Sequence, residues 1–323
     1  MRALVLTQSA AAEAERIVLR NDYPMPVPGA GESLVRVRMA GICGTDLEMM
    51  RGYMAFSGVP GHEFVGEVAA SANRTLAGKR VVGEINAACG HCDSCRAAMG
   101  RHCPNRTVLG IVGRDGAFAE YLCLPDVNLI PISDQLPDEA AVFTEPLAAA
   151  FEIFEQTQIA AHDRIAILGD GRLGAMTALA MKARGCNPVL GGHHVDKLGR
   201  LAQMGLAAEH ERDLKPGFDV VIDCTGSAIG LSRALELVRP RGKLILKTTV
   251  AGAAGINLAP IVINEIDVIG SRCGRFRPAL DALESGAVDP TPLISGIFPL
   301  AQVSDALVRA AQPSTFKILL KAS

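Results

Sequence analysis

From the N-terminus to about Pro146 the apolar positions come in short bursts. Val35 and Val37 alternate with Arg36 and Arg38, a period of two that predicts a strand with one face in a core. Phe64–Val68, Arg80–Val82 and Phe118–Leu124 are further short β-prone runs, separated by Gly, Pro and Asn. The first part of the chain therefore reads as β-rich.

The texture then changes. An Ala-rich apolar pattern over Ala140–Gln158 predicts a helix. Buried-type runs at Arg164–Leu168, Pro188–Leu190, Asp219–Ile222 and Lys243–Leu246 predict strands. Leu173–Ala183, Val195–Met204 and Ser227–Val238 predict the helices between them. Strands alternating with helices of this length imply a parallel sheet covered on both faces. The tail from about Arg272 carries helix-like stretches at Ala279–Leu283 and Ala301–Ala311, then a last strand at Phe316–Leu320. The expectation is an α/β protein, and 323 residues are too many for one ordinary core.

Charge and composition narrow the class. Lys plus Arg (32) nearly balance Asp plus Glu (34), a net charge of -2, which argues against a nucleic-acid or anionic-membrane partner. No segment reaches the ~20 apolar residues needed to span a bilayer. The apolar stretch Ala3–Leu6 is too short for a leader, so the expected location is cytoplasmic. In that reducing setting nine cysteines do not read as a disulfide framework. Four of them, Cys89, Cys92, Cys95 and Cys103, crowd into one stretch, and clustered thiols in a cytosolic chain mean metal.

Gly169-Asp170-Gly171-Arg172-Leu173-Gly174 follows a predicted strand and opens a predicted helix. This G-x-G-x-x-G context fits a dinucleotide: the glycines allow a tight turn, close approach of a pyrophosphate, and helix-on-strand packing. The helix N-terminus then offers its unpaired N–H groups to the phosphates. Asp170 is odd there, since a carboxylate must point away from a pyrophosphate. The second strand ends at Leu190-Gly191-Gly192-His193-His194. An NAD site normally places an acid near that point for the adenosine ribose; here His193 stands instead, with Asp196 three residues on. Lys197 and Arg200 nearby favour a 2′-phosphate, so the expected cofactor is NADP, with NAD kept open.

Two metal sets are readable. Cys89-x2-Cys92-x2-Cys95-x7-Cys103 offers four thiolates to one tetrahedral ion, which leaves no position for substrate and predicts structural zinc. His91 and His102 are alternative ligands. A nucleic-acid-binding zinc ribbon is the competing reading, but the chain lacks the basic surface. The second set is dispersed: Cys43 in Gly41-Ile42-Cys43-Gly44-Thr45-Asp46, His62 and Glu63 in Gly61-His62-Glu63-Phe64-Val65-Gly66, and Glu145 in Thr144-Glu145-Pro146.

With these motifs in this order, the chain resembles the zinc-containing alcohol dehydrogenase branch of the medium-chain dehydrogenase/reductase superfamily, nearly end to end. The resemblance implies a GroES-like β-rich catalytic domain over 1–147. A Rossmann domain with a doubly wound parallel sheet is implied over 148–272, and a return segment over 273–323 completes the first domain. It implies that Cys43 and His62 bind a catalytic zinc, with Glu63 and Glu145 supplying the remaining coordination directly or through water. Glu145 in place of the Cys common in the family is more like the polyol, glucose and threonine dehydrogenases. Thr45 corresponds to the relay hydroxyl. Glu48 stands where many relatives have a His, and either passes the proton or faces solvent.

Other positions follow by the same resemblance. Thr225 lies along the cofactor, Lys317 contacts its pyrophosphate, and Ile85 and Asn86 line the pocket. Arg51, Tyr53, Phe56 and Arg114 are further pocket candidates. Homodimers or homotetramers are usual. The implied activity is hydride transfer between an alcohol, of which a polyol or other hydroxy compound is one form, and NAD(P). A zinc-free quinone or enoyl reductase would lack the four-cysteine lobe and the Cys43–His62 pair. A non-catalytic protein on the same fold would have lost a ligand or a glycine. Neither loss is present.

Overall fold

The computed structural model describes residues 1–7, 16–248, 255 and 257–322. The chain divides into two compact units, Met1–Glu145 with Leu293–Ser323, and Pro146–Pro292.

The first unit is built on a seven-stranded sheet. Its main path runs Leu129–Pro131, Arg80–Gly83, Glu63–Ala70, Glu32–Gly41, Lys317–Lys321 and Ile294–Pro299, and Tyr121–Pro125 also pairs with Glu32–Gly41. Glu32–Gly41 is the hub. Ser33, Val35, Val37 and Met39 are buried while Arg36 is exposed, the expected alternation, and towards Gly41 both faces are covered. Val65, Val81, Val82, Leu122 and Leu124 from its neighbours are all 2% exposed or less, each such side chain contributing about 1.5–3 kcal/mol of burial. A three-stranded sheet of Asn86–Ala87, Thr107–Leu109 and Gly113–Arg114 flanks the four-cysteine stretch.

The second unit holds a six-stranded parallel sheet. Its order is Ala207–His210, Val189–Gly192, Ile165–Leu168, Phe218–Asp223, Val238–Leu246, Asp267–Gly270. Counted along the unit this is 3-2-1-4-5-6, the doubly wound order, and its chain reversal lies between the first and fourth strands. Ile165–Leu168 is buried throughout, because helices cover both faces of a parallel sheet. Ala166, Leu168, Val221, Leu244, Ala234 and Leu237 form one core cluster.

The elements differ from expectation in three places. The Ala-rich stretch forms two helices, Asp138–Ala141 and Thr144–Gln156, with the Thr144 hydroxyl donating to the Ala141 carbonyl at 2.7 Å. Strands Ala207–His210 and Asp267–Gly270 join the sheet without having been foreseen. The return to the first unit begins at Leu293, not at 273. Helix Phe276–Glu284 stays with the second unit, burying Phe276, Ala279, Leu280 and Leu283. Just before it, Lys247 Nζ donates to the carbonyls of Ala149 and Arg272, and a Cβ on Gly274 would sit 1.9 Å from the Ala148 oxygen. These bonds pin the segment after 270 to the first helix of its own unit.

Candidate functional site

The hub strand ends at Gly41, and Cys43 caps helix Gly44–Met50 two residues later. Strand Glu63–Ala70 runs antiparallel to the hub with Gly41 opposite Glu63. That register carries His62 and Glu63 to Cys43 across the sheet. Donor atoms of Cys43, His62 and Glu63 lie within 4.8 Å of one another. Gly41 is required for this approach: a Cβ there would come within 2.3 Å of Glu63 Oε2.

Asp46, quoted in the Cys43 motif but given no role by sequence, organises the cluster. It is the third residue of the helix, where a carboxylate can reach back to the cap. Its Oδ2 accepts the Cys43 N–H at 2.7 Å, and its Oδ1 lies 3.3 Å from His62 Nδ1. The side chain is fully buried. Burial works against a charge on His62, yet the Asp46 carboxylate, with Cys43, holds the imidazole pKa well above its ordinary value. A carboxylate behind a histidine is the arrangement that orients a metal-binding imidazole. Thr45 Oγ1 lies 3.9 Å from Cys43 Sγ.

Among the described residues, buried Glu63 Oε1 has no hydrogen-bond partner, and Asp46 Oδ1 and His62 Nδ1 have only their 3.3 Å contact with each other. Leaving such atoms unpaired costs about 1–3 kcal/mol each. One thiol, one imidazole and one carboxylate at this spacing fit zinc, with a fourth position left over.

Glu145 follows in the chain on a different element. Glu145 sits half-buried in the first turn of helix Thr144–Gln156 and is not among the donors that converge. Glu48 is exposed, and its carboxylate accepts from Arg51 at 2.6 Å. Lys317 faces the same cluster. It is 1% exposed in the strand beside the hub, its ammonium bonded to Glu63 Oε2 and 5.7 Å above the Phe143 ring. A buried cation demands a buried partner, and Glu63 supplies it. Arg114 is likewise occupied, by Glu32, the Thr107 hydroxyl and the Cys123 carbonyl. Tyr53 is half-buried and Arg51 exposed. Phe56, Ile85 and Asn86 are buried.

The other cluster is closed. Sγ–Sγ distances are 3.5 Å for Cys92–Cys95 and Cys89–Cys103, 3.7 Å for Cys92–Cys103 and 3.9 Å for Cys89–Cys95. Four sulfurs about 2.3 Å from a tetrahedral zinc stand roughly 3.8 Å apart, so the thiols fit that ion and are far too distant for disulfides. Backbone amides of His91 and Cys92 lower the Cys89 pKa to about 6, and desolvation with Cys92 raises Cys95 to about 12. His91 turns its Nδ1 to the Cys89 carbonyl at 2.8 Å.

In the second unit the glycine turn joins Ile165–Leu168 to helix Arg172–Ala183, whose first turn begins with Arg172 and Leu173. Gly169 has φ +111°, and a Cβ on Gly174 would lie 1.9 Å from the Gly169 oxygen. Gly171 differs: its φ is -80°, and a Cβ there would meet nothing within 4 Å. Neither backbone nor packing requires glycine at 171, whereas close approach of a pyrophosphate does.

Asp170 does point away from that approach. Its Oδ2 accepts the His193 and His194 N–H groups at 2.7 Å each, and His194 Nδ1 lies 2.9 Å from Oδ1. Burial pushes its pKa up, but these bonds prevail and hold it below the usual carboxylate value. Lys197 is buried, which pulls its ammonium below the ordinary lysine value, and Arg200 donates to the Pro292 carbonyl at 2.8 Å. Asp196 is exposed. The Thr225 hydroxyl is spent on Asp223 Oδ1 at 2.7 Å.

The fold and these clusters define a zinc-dependent, nicotinamide-dependent oxidoreductase. Residues 29–134 match the alcohol dehydrogenase GroES-like domain, and residues 173–285 the zinc-binding dehydrogenase family. L-threonine 3-dehydrogenase of Mesorhizobium japonicum is 34% identical over 258 residues, 73% of this chain and 74% of that protein. The L-threonine 3-dehydrogenase of Deinococcus radiodurans is 30% identical over 313 residues, 88% and 89% of the two chains. Among solved structures, an alcohol dehydrogenase of E. coli CFT073 complexed with NADH superposes with TM-score 0.87 at 27% identity, covering 99% of each chain. A zinc-binding dehydrogenase of Sinorhizobium meliloti 1021 bound to NADP superposes with TM-score 0.89 at 28% identity, covering 99% of this chain and 98% of that one. The chain belongs to the zinc-dependent alcohol dehydrogenase branch of the medium-chain dehydrogenase/reductase superfamily, acting on small-molecule alcohols with NAD(P).

Proposed function

We propose that this enzyme oxidises a polar secondary alcohol, a polyol or hydroxy amino acid, with Cys43, His62 and Glu63 holding the catalytic zinc. The observation that carries the reading is this convergent donor set with Asp46 behind its imidazole. When bound, zinc supplies a Lewis acid that lowers the pKa of an alcohol, and the nicotinamide supplies the hydride acceptor. The chain's own residues do the rest. Asp46 fixes the orientation of His62, and Lys317 restrains Glu63. Thr45 Oγ1 takes the alcohol proton and passes it outward, towards the exposed Glu48 one turn on. The L-threonine 3-dehydrogenase relatives support a secondary alcohol with polar neighbours. Buried Asn86, whose Oδ1 has no partner among the described residues, supports a substrate that brings a hydrogen-bond donor. Cys89, Cys92, Cys95 and Cys103 hold the structural zinc.

For the cofactor we propose NADP used at least as well as NAD, because no acid stands at His193. A panel of polyols, L-threonine and simple alcohols, assayed with each cofactor, tests both points. The expected result is the highest kcat/KM for a polar secondary alcohol with NADP, and a shift towards NAD in His193→Asp. Faster turnover of simple primary alcohols would overturn the substrate reading, and a clear NAD preference the cofactor reading.

The two acids of the zinc site separate by position. Since Glu63 converges on Cys43 and His62 while Glu145 does not, Glu63→Gln should lower zinc occupancy and turnover together. Glu145→Gln should keep zinc and act on turnover alone, the outcome for a ligand that exchanges during the cycle. Zinc per chain and kcat measured on both variants decide it; full zinc and full activity in both would remove this pair from the mechanism.

We further propose a homo-oligomer. The parallel sheet ends on strand Asp267–Gly270, and Leu258, Val262, Ile263 and Val268 beside it are 41–77% exposed. An unpaired edge with apolar surface supports pairing with a second copy. Among the described residues no helix is long and apolar enough to cross a membrane. None of the nine cysteines, all of them described, forms a disulfide, which supports a reducing, cytoplasmic location.

A further inference from the structure

In this fold the adenosine ribose of a dinucleotide lies beyond the end of the second strand, where an acid normally receives it. Strand Val189–Gly192 ends instead in His193. A carboxylate nevertheless arrives there from the next strand. Ala207–His210 runs parallel to Val189–Gly192 with Gly192 opposite His210, so the residue after His210 emerges beside His193. That residue is Glu211. Its Oε2 lies 3.2 Å from His193 Nε2, and its side chain is 17% exposed against 63% for the histidine.

Several contacts hold the pair in place. A Cβ on Gly191 would stand 3.3 Å from Glu211 Cα and 2.5 Å from Leu214 Cδ1, so a side chain at 191 would push this turn away from the strand end. Arg233 Nη2 donates to the Glu211 carbonyl at 3.3 Å and to the Leu214 carbonyl at 2.9 Å. The His210 ring packs edge-on against His193, centroids 5.6 Å apart. Asp170, within the glycine turn itself, takes the His193 N–H and fixes the backbone that carries the histidine.

We propose that Glu211, delivered from the third strand and masked by His193, sets the discrimination between NAD and NADP. A carboxylate at the ribose accepts from the 2′-hydroxyl of NAD and repels the 2′-phosphate of NADP. His193 Nε2 occupies that carboxylate and holds it back from the ribose, which makes the site tolerant of the phosphate. The inference rests on the reading of Gly169–Gly174 as the dinucleotide turn.

The test is the ratio of NADH to NADPH dissociation constants on the zinc-loaded full-length enzyme, read by the fluorescence of the bound reduced cofactor. Wild type, Glu211→Gln, His193→Ala and the double variant are compared. Removing the acid should move the ratio about tenfold towards NADPH, the scale of one charge in a partly solvated site. His193→Ala should expose the acid and move it several-fold towards NADH. In the double variant the His193 change should have no further effect, because the carboxylate it masks is gone. An unchanged ratio in Glu211→Gln overturns the proposal. So does a His193→Ala shift that persists in the double variant, since the histidine would then act on the cofactor directly. Absence of binding of either cofactor to wild type would overturn the dinucleotide reading, and this inference with it. These ratios are compared between variants, so they stand whichever cofactor the wild type prefers.

Discussion

Cys43→Ser is expected to lower kcat/KM by about a thousandfold or more, the several kcal/mol that a Lewis acid contributes to such a transition state, while the fold remains. The two halves of that expectation have separate physical causes. Losing the thiolate leaves His62 and Glu63 to hold the metal, and a hydroxyl is a far weaker ligand for zinc at neutral pH than a thiolate. The local structure does not depend on sulfur. Cys43 is an N-cap, its N–H is satisfied by Asp46, and serine is among the best N-cap residues. Helix Gly44–Met50 therefore keeps its start, with Met49 and Met50 still buried. The check is a joint one: zinc per chain should fall from two towards one, kcat/KM should collapse, and the thermal midpoint should stay within a few degrees of wild type. Turnover within tenfold of wild type would remove Cys43 from the catalytic centre. Asp46→Asn offers a graded comparison. It keeps the shape but removes the charge beside His62 Nδ1, and an outer partner of a metal ligand is worth about 10–100-fold.

What the sequence displays depends on whether a feature is local. The four cysteines and the glycine turn each occupy a short stretch, so their spacing alone carries the chemistry. Cys43, His62 and Glu63 are brought together by one antiparallel register, Gly41 opposite Glu63, which no spacing rule encodes. Asp46 was in plain view as the acid three residues after a helix cap, a signal that capping logic would have caught. The Lys317–Glu63 bond is equally invisible to spacing, because it depends on the last strand pairing with the hub. Strand Ala207–His210 has no β-branched or aromatic residue, hence no β signal, and with that strand hidden Glu211 was hidden too.

The largest effect on stability is expected at the cysteine lobe, from Cys92→Ser. Helix Asp93–Arg96 and the turn Gly100–His102 bury no residue of their own. Arg96 is occupied locally, with Asp93 and the His91 carbonyl. Of the four ligands only Cys103 is fully buried. With so little apolar burial to offset the entropy of ordering these residues, the metal must supply the stabilisation, and structural zinc in small modules is worth about 10–16 kcal/mol. Cys92→Ser should therefore drop zinc from two ions to one, lower the thermal midpoint, and open the lobe to trypsin at exposed Arg96. Because the site is closed to substrate, kcat of the surviving folded enzyme should stay within about tenfold of wild type, the opposite signature to Cys43→Ser. A chelator should reproduce the effect, and acid should do so progressively, since protons compete with zinc for the thiolates. Retention of both zinc ions and the wild-type midpoint in Cys92→Ser would show that the lobe is held by its own packing and not by metal.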